Sequence, residues 1–441
     1  MPDAVLPSTA RLLLARTARV QRDGRAPSLV AGVVRDGGLA WSAGRGDVPE
    51  PHTDVQYRLG SISKTVTAVA VLRLRDEGRV HLDDPLDRHV PGTPLGDRTV
   101  GQLLAHVAGA AAESPGAWWE RAPGGSLADL QLAPEHVVLG AARRFHYSNL
   151  GFGLLGELVA RLRGRPWEDV VRTEVLAPLG MDRTTPRPVA PAAEGRAVHP
   201  WADVVLPEPE HDAGVMAAAG QLWATLTDLG RFAAFLLGDT GDVLDPATLE
   251  EMTVPAGVDS SAPGWSAYGL GLQVLRVDGR TLVGHGGSMP GFLAGVFVDR
   301  EEQIGAVSLA NTTAGLDPLL PDLLADLRAA EPRVVEAWVP SPPPVPLEAL
   351  GIWYWGPGPH ALRALPGGLL HLGPLPGRAG RASRFARRDD GTWVGLDGYY
   401  AGEPLRIAED HLDLGTFVFT RQPYDPGAPV PGGVDEGGWR A

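Results

Sequence analysis

The hydrophobic pattern in the first part of the chain predicts a helix followed by a β-hairpin. Apolar residues recur at helical spacing over residues 8–22, and Ser8 is a suitable N-cap for that helix. Two apolar runs, at residues 29–34 and 39–43, have the length of strands, and Asp36-Gly37 between them is typical of a tight turn. We therefore expect one helix and two paired strands here.

A mainly helical region follows, and strands return after it. Apolar residues three and four positions apart predict a helix over residues 61–77, with Gly78 as the residue that ends it. Further helices are predicted at residues 102–107, 127–132, 147–162 and 316–327, and further strands at 268–277, 280–283, 291–298 and 303–310. Strands on both sides of a helical region indicate one α+β domain with an inserted α-helical domain at roughly residues 80–210.

A proline-rich segment divides the chain. Residues 339–347 contain five prolines, which is typical of an extended linker. The linker follows a first domain predicted at residues 1–338. Beyond it, short alternating runs between glycine- and proline-rich turns predict a small antiparallel β domain at residues 348–422. Residues 423–441 are predicted to form a flexible tail.

Composition and charge exclude several classes of function. The formal net charge is −14, and an acidic chain repels a phosphate backbone, so no nucleic-acid partner is expected. The chain has no cysteine, which excludes disulfides, thiolate nucleophiles and cysteine-bound metals. Its histidines lack the spacing of a zinc site, so neither a metal nor another cofactor is expected. Because no apolar run has the length of a membrane span and no export signal is recognised, we expect a cytoplasmic protein.

The only lysine of the chain is the first sign of chemistry. Lysine and arginine total 39, so 38 are arginines and Lys64 stands alone. Arginine does not lose its proton at working pH, whereas a partly buried lysine does. Ser61 lies three positions earlier, at the predicted start of a helix, so both side chains share one helix face. This S-x-x-K pair predicts a serine nucleophile with a lysine base.

Two later motifs are weak when each is taken alone. Tyr147-Ser148-Asn149 offers a phenol that can carry a proton and an amide that both donates and accepts, yet it also fits an ordinary turn before a helix. Gly284-His285-Gly286-Gly287-Ser288 permits the close backbone approach that an oxyanion hole needs, yet it also fits a glycine-rich turn between strands. In the first interpretation, His285 orients a substrate carboxylate or the Tyr147 hydroxyl.

The order S-x-x-K, Y-x-N, H-G-G resembles that of the penicillin-recognising serine hydrolases, which include class C β-lactamases, D,D-peptidases, D-aminopeptidases and related esterases. The resemblance covers roughly residues 10–330. It implies an antiparallel sheet flanked by helices with an inserted helical domain, to which this chain adds a C-terminal all-β domain. Similar flanking segments are Tyr57-Arg58-Leu59-Gly60, Leu82-Asp83-Asp84-Pro85, Leu103-Leu104-Ala105-His106 and Pro178-Leu179-Gly180-Met181.

The resemblance also implies a mechanism through a covalent acyl-enzyme. Ser61 would attack the substrate carbonyl, and Lys64 would accept the Ser61 proton. Tyr147 would relay a proton to the leaving group and help to activate the deacylating water. Asn149 would hydrogen-bond the substrate or Lys64, and the N–H groups of Ser61 and Ser288 would form the oxyanion hole. The substrate-binding and oxyanion residues implied in this way are Asn149, His285, Gly286, Gly287 and Ser288.

Two departures from the family pattern bear on the substrate. The family's β-lactamases usually carry Lys-Thr-Gly where this chain has His285-Gly286-Gly287, and no export signal suited to a cell-wall enzyme is recognised. Both points favour a small ester, or a D-amino-acid amide or peptide, over the alternative of a β-lactam or a D,D-carboxypeptidase substrate. The alternative from another class is a non-catalytic sensor that binds β-lactams or D-peptides.

Some assignments stay open at this stage. Trp118 and Trp119 either line the acyl pocket or anchor a loop to the core. His106, His146 and His211 are interpreted as structural. A homodimer formed through the C-terminal β domain is a further possibility that the sequence allows.

Overall fold

The chain folds into two compact units, with the division between Val334 and Val335. The structure is a computed structural model that describes residues 4–423 except 261–265, 314, 317, 336, 389 and 416. The flexible tail predicted at residues 423–441 lies outside the described residues from residue 424 onwards.

The first unit combines helices with strands in the predicted order. Its helices are α1 Pro7–Asp23, α2 Ile62–Asp76, α3 Val100–Leu104, α4 Asn149–Arg163, α5 Trp167–Val171, α6 Ala217–Gly220, α7 Leu226–Leu237, α8 Pro246–Met252 and α9 Leu319–Ala330. Its strands are β1 Ser28–Arg35, β2 Gly38–Gly46, β3 Tyr57–Arg58, β4 Arg196–Val198, β5 Val205–Pro207, β6 Trp223–Ala224, β7 Gly257–Asp259, β8 Ser266–Tyr268, β9 Gln273–Val277, β10 Arg280–Met289, β11 Phe292–Asp299 and β12 Ile304–Ala310.

Eight of these strands form one antiparallel sheet in the order β2-β1-β12-β11-β10-β9-β8-β7. The β1–β2 hairpin turns at Asp36 and Gly37, which both have positive φ, as the Asp-Gly signal predicts. Strand β1 also pairs with β12, where Leu29 lies opposite Ala310. The hairpin and the later strands therefore share one sheet, which confirms the α+β fold with a long insertion.

Both faces of the sheet are covered by helices. Side chains alternate between the faces of a strand, and on β1 Leu29 and Val33 pack in the cluster that contains α9, whereas Val30 and Val34 pack in the cluster that contains α2 and α7. Burial on both faces explains why residues 29–34 form a nearly continuous apolar run and do not alternate with polar residues.

Several element boundaries differ from the sequence-based expectation. Helix α1 begins at Pro7 with Leu6 as its N-cap, so Ser8 is not the cap; proline at the first position already has helical φ. The strand predicted at 268–277 is interrupted between β8 and β9, where Gly271 has positive φ. Strand β10 extends to Met289 because residues beyond Val283 continue to pair with β11.

The inserted region is less helical than predicted. Within residues 80–210, α-helix is limited to α3, α4 and α5, and a two-stranded sheet of β4 and β5 is also present. Much of residues 105–146 is irregular, with short 3-10 turns at Leu127–Leu130 and Pro134–His136. Glu113 and Glu120 of this irregular stretch lie close enough to Lys64 of the S-x-x-K motif to interact with it electrostatically.

The second unit is a closed barrel of eight antiparallel strands, which confirms the predicted C-terminal all-β domain. Each strand pairs with the next, and Tyr354 opposite Thr420 closes the barrel. Large apolar side chains, including Trp353, Phe385 and Phe419, fill its core. Its strands are β13 Gly351–Trp355, β14 Gly358–Leu365, β15 Leu369–Pro374, β16 Ser383–Arg387, β17 Trp393–Gly395, β18 Pro404–Ile407, β19 His411–Asp413 and β20 Val418–Thr420.

Candidate active site

Ser61 lies where the chain turns from β3 into the buried helix α2. Gly60 before it has a left-handed backbone with φ of 55°, and Ser61 itself is the N-cap of α2. The Ser61 side chain is half-buried and faces a cavity. Free N–H groups and the dipole at a helix N-terminus favour negative charge, which suits an oxygen that gains charge during attack on a carbonyl.

Lys64 reaches the Ser61 hydroxyl from the first turn of α2. Its Nζ lies 2.9 Å from Ser61 Oγ and donates a second hydrogen bond of 2.7 Å to the Ala219 carbonyl. The lysine is fully buried. Burial lowers the pKa of Lys64 from 10.5 to about 7, although the carboxylates of Glu113 and Glu120 oppose the shift. The neutral amine, which can accept the serine proton, is therefore far more accessible near pH 7 than for an exposed lysine.

Tyr147 precedes α4 and lies against the same pair. The Lys64 Nζ is 5.0 Å from the centre of its ring. Burial raises the pKa of Tyr147, an interaction with the Ser61 side chain opposes this, and Glu113 and Glu120 add to it. Tyr147 is therefore a neutral phenol at pH 7, which suits a donor or relay of protons and does not suit a phenolate base.

Asn149, the third residue of the Y-x-N motif, is paired with a carboxylate that the sequence did not single out. Its Nδ2 donates to Glu113 Oε1 at 2.8 Å, and its backbone N–H donates to the Ala112 carbonyl. Its buried Oδ1 has no hydrogen-bond partner among the described residues. Asn149 is not among the described residues that line the cavity beside Ser61. The side chain pairs with Glu113 and not with Lys64.

The two tryptophans of the irregular stretch have different environments. Trp119 is buried and donates from Nε1 to Glu113 Oε2 at 2.7 Å, so it anchors the loop that carries Glu113. Trp118 is 59% exposed and donates to Glu120. Neither is among the described residues that line the cavity beside Ser61.

The H-G-G motif lies within strand β10 and not in a turn. A Cβ at Gly287 would lie 1.8 Å from the Leu59 carbonyl oxygen and 3.3 Å from Ser61 N, so only glycine fits against the chain that leads to the nucleophile. A Cβ at Gly60 would likewise lie 2.6 Å from Ser288 N. The backbone segments that carry the Ser61 and Ser288 N–H groups therefore pack closely against each other, as an oxyanion hole built from these two donors requires.

His285 is buried within the sheet and held by Tyr268, a residue that the sequence did not single out. The Tyr268 hydroxyl lies 2.8 Å from His285 Nε2, and His285 Nδ1 lies 2.5 Å from the Gly286 carbonyl. The carbonyl only accepts, so Nδ1 carries the proton and Nε2 accepts from Tyr268. Burial lowers the pKa of His285 to about 3. A neutral His285 with both nitrogens engaged leaves the His285-Gly286-Gly287 segment of this strand without a cation.

His106 supports the site from behind, in agreement with its structural interpretation. Its Nδ1 accepts a 3.0 Å hydrogen bond from the Ser148 N–H. Its ring lies 4.2 Å from that of Tyr147 and 4.5 Å from that of Tyr268, measured between ring centres. Packing on both tyrosines fixes the positions of the phenols in the site.

The structure therefore brings Ser61, Lys64, Tyr147 and Ser288 close together. Next to them, Asn149 is hydrogen-bonded to Glu113, and His285 is hydrogen-bonded to Tyr268. In the part of the chain that the structure describes, no group of three histidines or carboxylates is arranged to hold a metal ion. Likewise, none of the described helices is long and apolar enough to span a membrane.

Comparisons with known proteins agree with the family resemblance of the sequence motifs. The Beta-lactamase family model matches residues 14–331, and a model described as a domain of unknown function (DUF7586) matches residues 342–421. Beta-lactamase-like protein 2 of Dictyostelium discoideum is 26% identical over 282 residues, which cover 58% of this chain and 50% of that protein. The chain thus spans about half the length of this relative.

Two solved structures are similar in fold. The octameric penicillin-binding protein homologue from Pyrococcus abyssi is 18% identical with a TM-score of 0.63, over 93% of this chain and 99% of that one. A D-stereospecific amidohydrolase from a Streptomyces species is 26% identical with a TM-score of 0.57, over 72% of this chain and 98% of that one. Since the family model matches most of the chain and the fold agrees, the protein belongs to the Beta-lactamase family of serine hydrolases.

Proposed function

We propose that the protein hydrolyses a small ester or a D-amino-acid amide through a covalent acyl-enzyme on Ser61. The observation that carries this proposal is the 2.9 Å contact between Ser61 Oγ and a fully buried Lys64 whose pKa is lowered to about 7. An activated serine needs an adjacent base, and a desolvated lysine is such a base.

The proposed reaction has two steps. In acylation, the Ser61 oxygen forms a bond to the substrate carbonyl carbon while Lys64 takes the serine proton. The resulting oxyanion accepts hydrogen bonds from the Ser61 and Ser288 N–H groups. As the bond between the carbonyl carbon and the leaving group breaks, Tyr147 donates its proton to the leaving group and regains one from Lys64, which becomes neutral again. In deacylation, water attacks the acyl carbon while its proton passes through the Tyr147 hydroxyl to Lys64. The bond between that carbon and Ser61 Oγ then breaks, Ser61 Oγ takes the proton back from Lys64, and the acid leaves.

Charge near the nucleophile supports a substrate with an ammonium group. The carboxylates of Glu113 and Glu120 interact electrostatically with Lys64 and Tyr147, and Glu113 is fixed by hydrogen bonds from Asn149 and Trp119. An exposed, fixed carboxylate attracts the α-ammonium of a free amino-acid amide. This favours a D-amino-acid amide, and the Streptomyces neighbour described as a D-stereospecific amidohydrolase points the same way.

The alternatives predict different outcomes. A β-lactamase or a D,D-carboxypeptidase would bind a substrate carboxylate, for which the neutral His285 supplies no charge. A non-catalytic sensor would be acylated without releasing product. A homodimer through the C-terminal barrel and a cytoplasmic location also stay predictions; light scattering coupled to gel filtration tests the homodimer.

A substrate panel separates these possibilities. We would measure turnover of short p-nitrophenyl esters, D-alanyl and L-alanyl amides and a chromogenic cephalosporin, with Ser61→Ala as the matched control. The proposal expects turnover of the esters and of the D-alanyl amide, and background rates for Ser61→Ala. Faster turnover of the cephalosporin than of every ester and amide would reject the proposed substrate class.

A further inference from the structure

A cavity of about 590 Å³ opens from Ser61 towards the start of α9. Tyr147 lines it, whereas Asn149 and Glu113 are not among the described residues that do. Tyr147 is the group proposed to protonate the leaving group. A leaving group that takes a proton from Tyr147 can therefore depart into this cavity, and the carboxylate that favours an ammonium lies outside it.

Two glycines that face each other across β10 and β11 provide the space. Gly286 lies opposite Gly295, so both point to the same face of the sheet. A Cβ at Gly286 would meet one neighbour within 4 Å, Gln273 Oε1 at 3.8 Å, so the space above it is open. A Cβ at Gly295 would come within 2.6 Å of the Leu320 side chain. Larger residues at these positions would fill the cavity.

Several side chains around this space are apolar, and Gln273 and Ser308 are polar side chains beside the two glycines. Leu293 on β11, Leu316 before α9, and Leu319 and Leu320 within α9 contribute side chains. Leu320 is only 7% exposed, so this wall has little contact with water. Transfer of an alkyl or aryl group into such a space is favourable, and transfer of an unpaired carboxylate is not.

The charges at the cavity also disfavour an anion. Among the described lining residues, Asp259 is the one with a formal charge, and that charge is negative. His285 is neutral, because its Nε2 accepts from Tyr268 and its Nδ1 faces the Gly286 carbonyl. Among the described residues that line the cavity, a leaving group with a carboxylate would therefore find no cation.

We propose that the leaving group of the natural substrate is an uncharged, apolar alcohol or amine that occupies this cavity, and that Leu293, Leu316 and Leu320 determine this specificity. The inference rests on the proposed function, since it assigns one half of the substrate of the same site. The acyl carbon–oxygen or carbon–nitrogen bond breaks, and the departing atom takes a proton through Tyr147.

The test uses two esters whose leaving groups are similar in size and shape and differ in charge. Both esters carry the acyl group that is turned over fastest in the panel. Their leaving groups are the phenols 4-hydroxybenzamide, which is neutral, and 4-hydroxybenzoate, which is anionic. Each kcat/KM is divided by the rate of hydroxide hydrolysis of the same ester. We expect the neutral ester to be preferred by roughly tenfold or more. Equal values, or preference for the anion, would overturn the inference while the proposed function stands; no turnover of any ester or amide would overturn both.

Variants that place a cation in the cavity give the second arm. Leu320→Arg, and Leu293→Arg at a partly exposed position in case the first fails to fold, should lower the preference for the neutral ester by about tenfold. Leu12→Arg, on α1 outside the cavity and 42% exposed, is the matched control and should leave the preference unchanged. An unchanged preference in a folded Leu293→Arg or Leu320→Arg variant would contradict the assignment of these walls.

Discussion

Replacement of Lys64 by arginine is the most informative perturbation. Arginine keeps the positive charge but does not lose its proton at working pH, so it cannot act as the base. With a pKa of about 7, half of the lysines are neutral at pH 7; at the ordinary value of 10.5, only about three in ten thousand would be. Burial therefore increases the fraction of neutral Lys64 at pH 7 about a thousandfold. We expect Lys64→Arg to lose acylation by about this factor or more.

The same reasoning gives the pH dependence of the wild-type protein. The neutral fraction of Lys64 rises from about one tenth at pH 6 to about nine tenths at pH 8, so the acylation rate should rise about tenfold over this interval and then level off. The assay is the burst of p-nitrophenol from an activated ester, followed by stopped flow between pH 5.5 and 9, with Ser61→Ala as the background.

Two results would refute the reasoning. One is a rate that keeps rising above pH 9, which would mean that the lysine titrates near its ordinary value. The other is a folded Lys64→Arg protein with a burst rate within tenfold of wild type, which would mean that Lys64 acts only through its charge. Circular dichroism at each pH checks that neither result reflects unfolding.

Three further predictions concern stability and neighbouring residues. Because folding lowers the pKa of Lys64, the unfolded state binds more protons than the folded state between pH 7 and 10.5. From pH 7 to 9, the free energy of unfolding of wild type should therefore increase by about 2 kcal/mol relative to that of Lys64→Met, as measured by urea denaturation. Tyr268→Phe leaves His285 Nε2 buried without a donor and should cost about 1–3 kcal/mol in the same assay, whereas a cost near zero would mean that the 2.8 Å contact contributes little. Glu113→Gln should reduce kcat/KM about tenfold for D-alanyl amide and leave that for N-acetyl-D-alanyl amide nearly unchanged; equal losses would indicate a purely structural role for Glu113.

The parts of the fold that depend on local patterns were predictable from the sequence. The hairpin at Asp36-Gly37 follows from turn chemistry, and the contact between Ser61 and Lys64 follows from helical spacing three residues apart. The all-β character of the second unit follows from short alternating runs, which the closed barrel confirms.

The parts that depend on distant partners were not predictable from the sequence. Glu113 lies in an irregular stretch without periodicity, and its pairing with Asn149 joins residues 36 positions apart. Residues 284–288 resemble a turn because glycine is rare in strands, yet the packing of Gly287 against Leu59 requires glycine within β10. Tyr268 gave no local signal either, because its role depends on the register that brings β8 and β9 beside β10.

The central claim is that Ser61 is a nucleophile activated by Lys64, and covalent labelling tests it most directly. The measurement is the intact mass of the protein after treatment with a fluorophosphonate at pH 8, followed by mapping of the modified peptide. We predict one added phosphonyl group on Ser61 in wild type, none in Ser61→Ala, and labelling at least about a hundredfold slower in Lys64→Arg. No adduct in the wild-type protein, or an adduct on another residue, would contradict the claim.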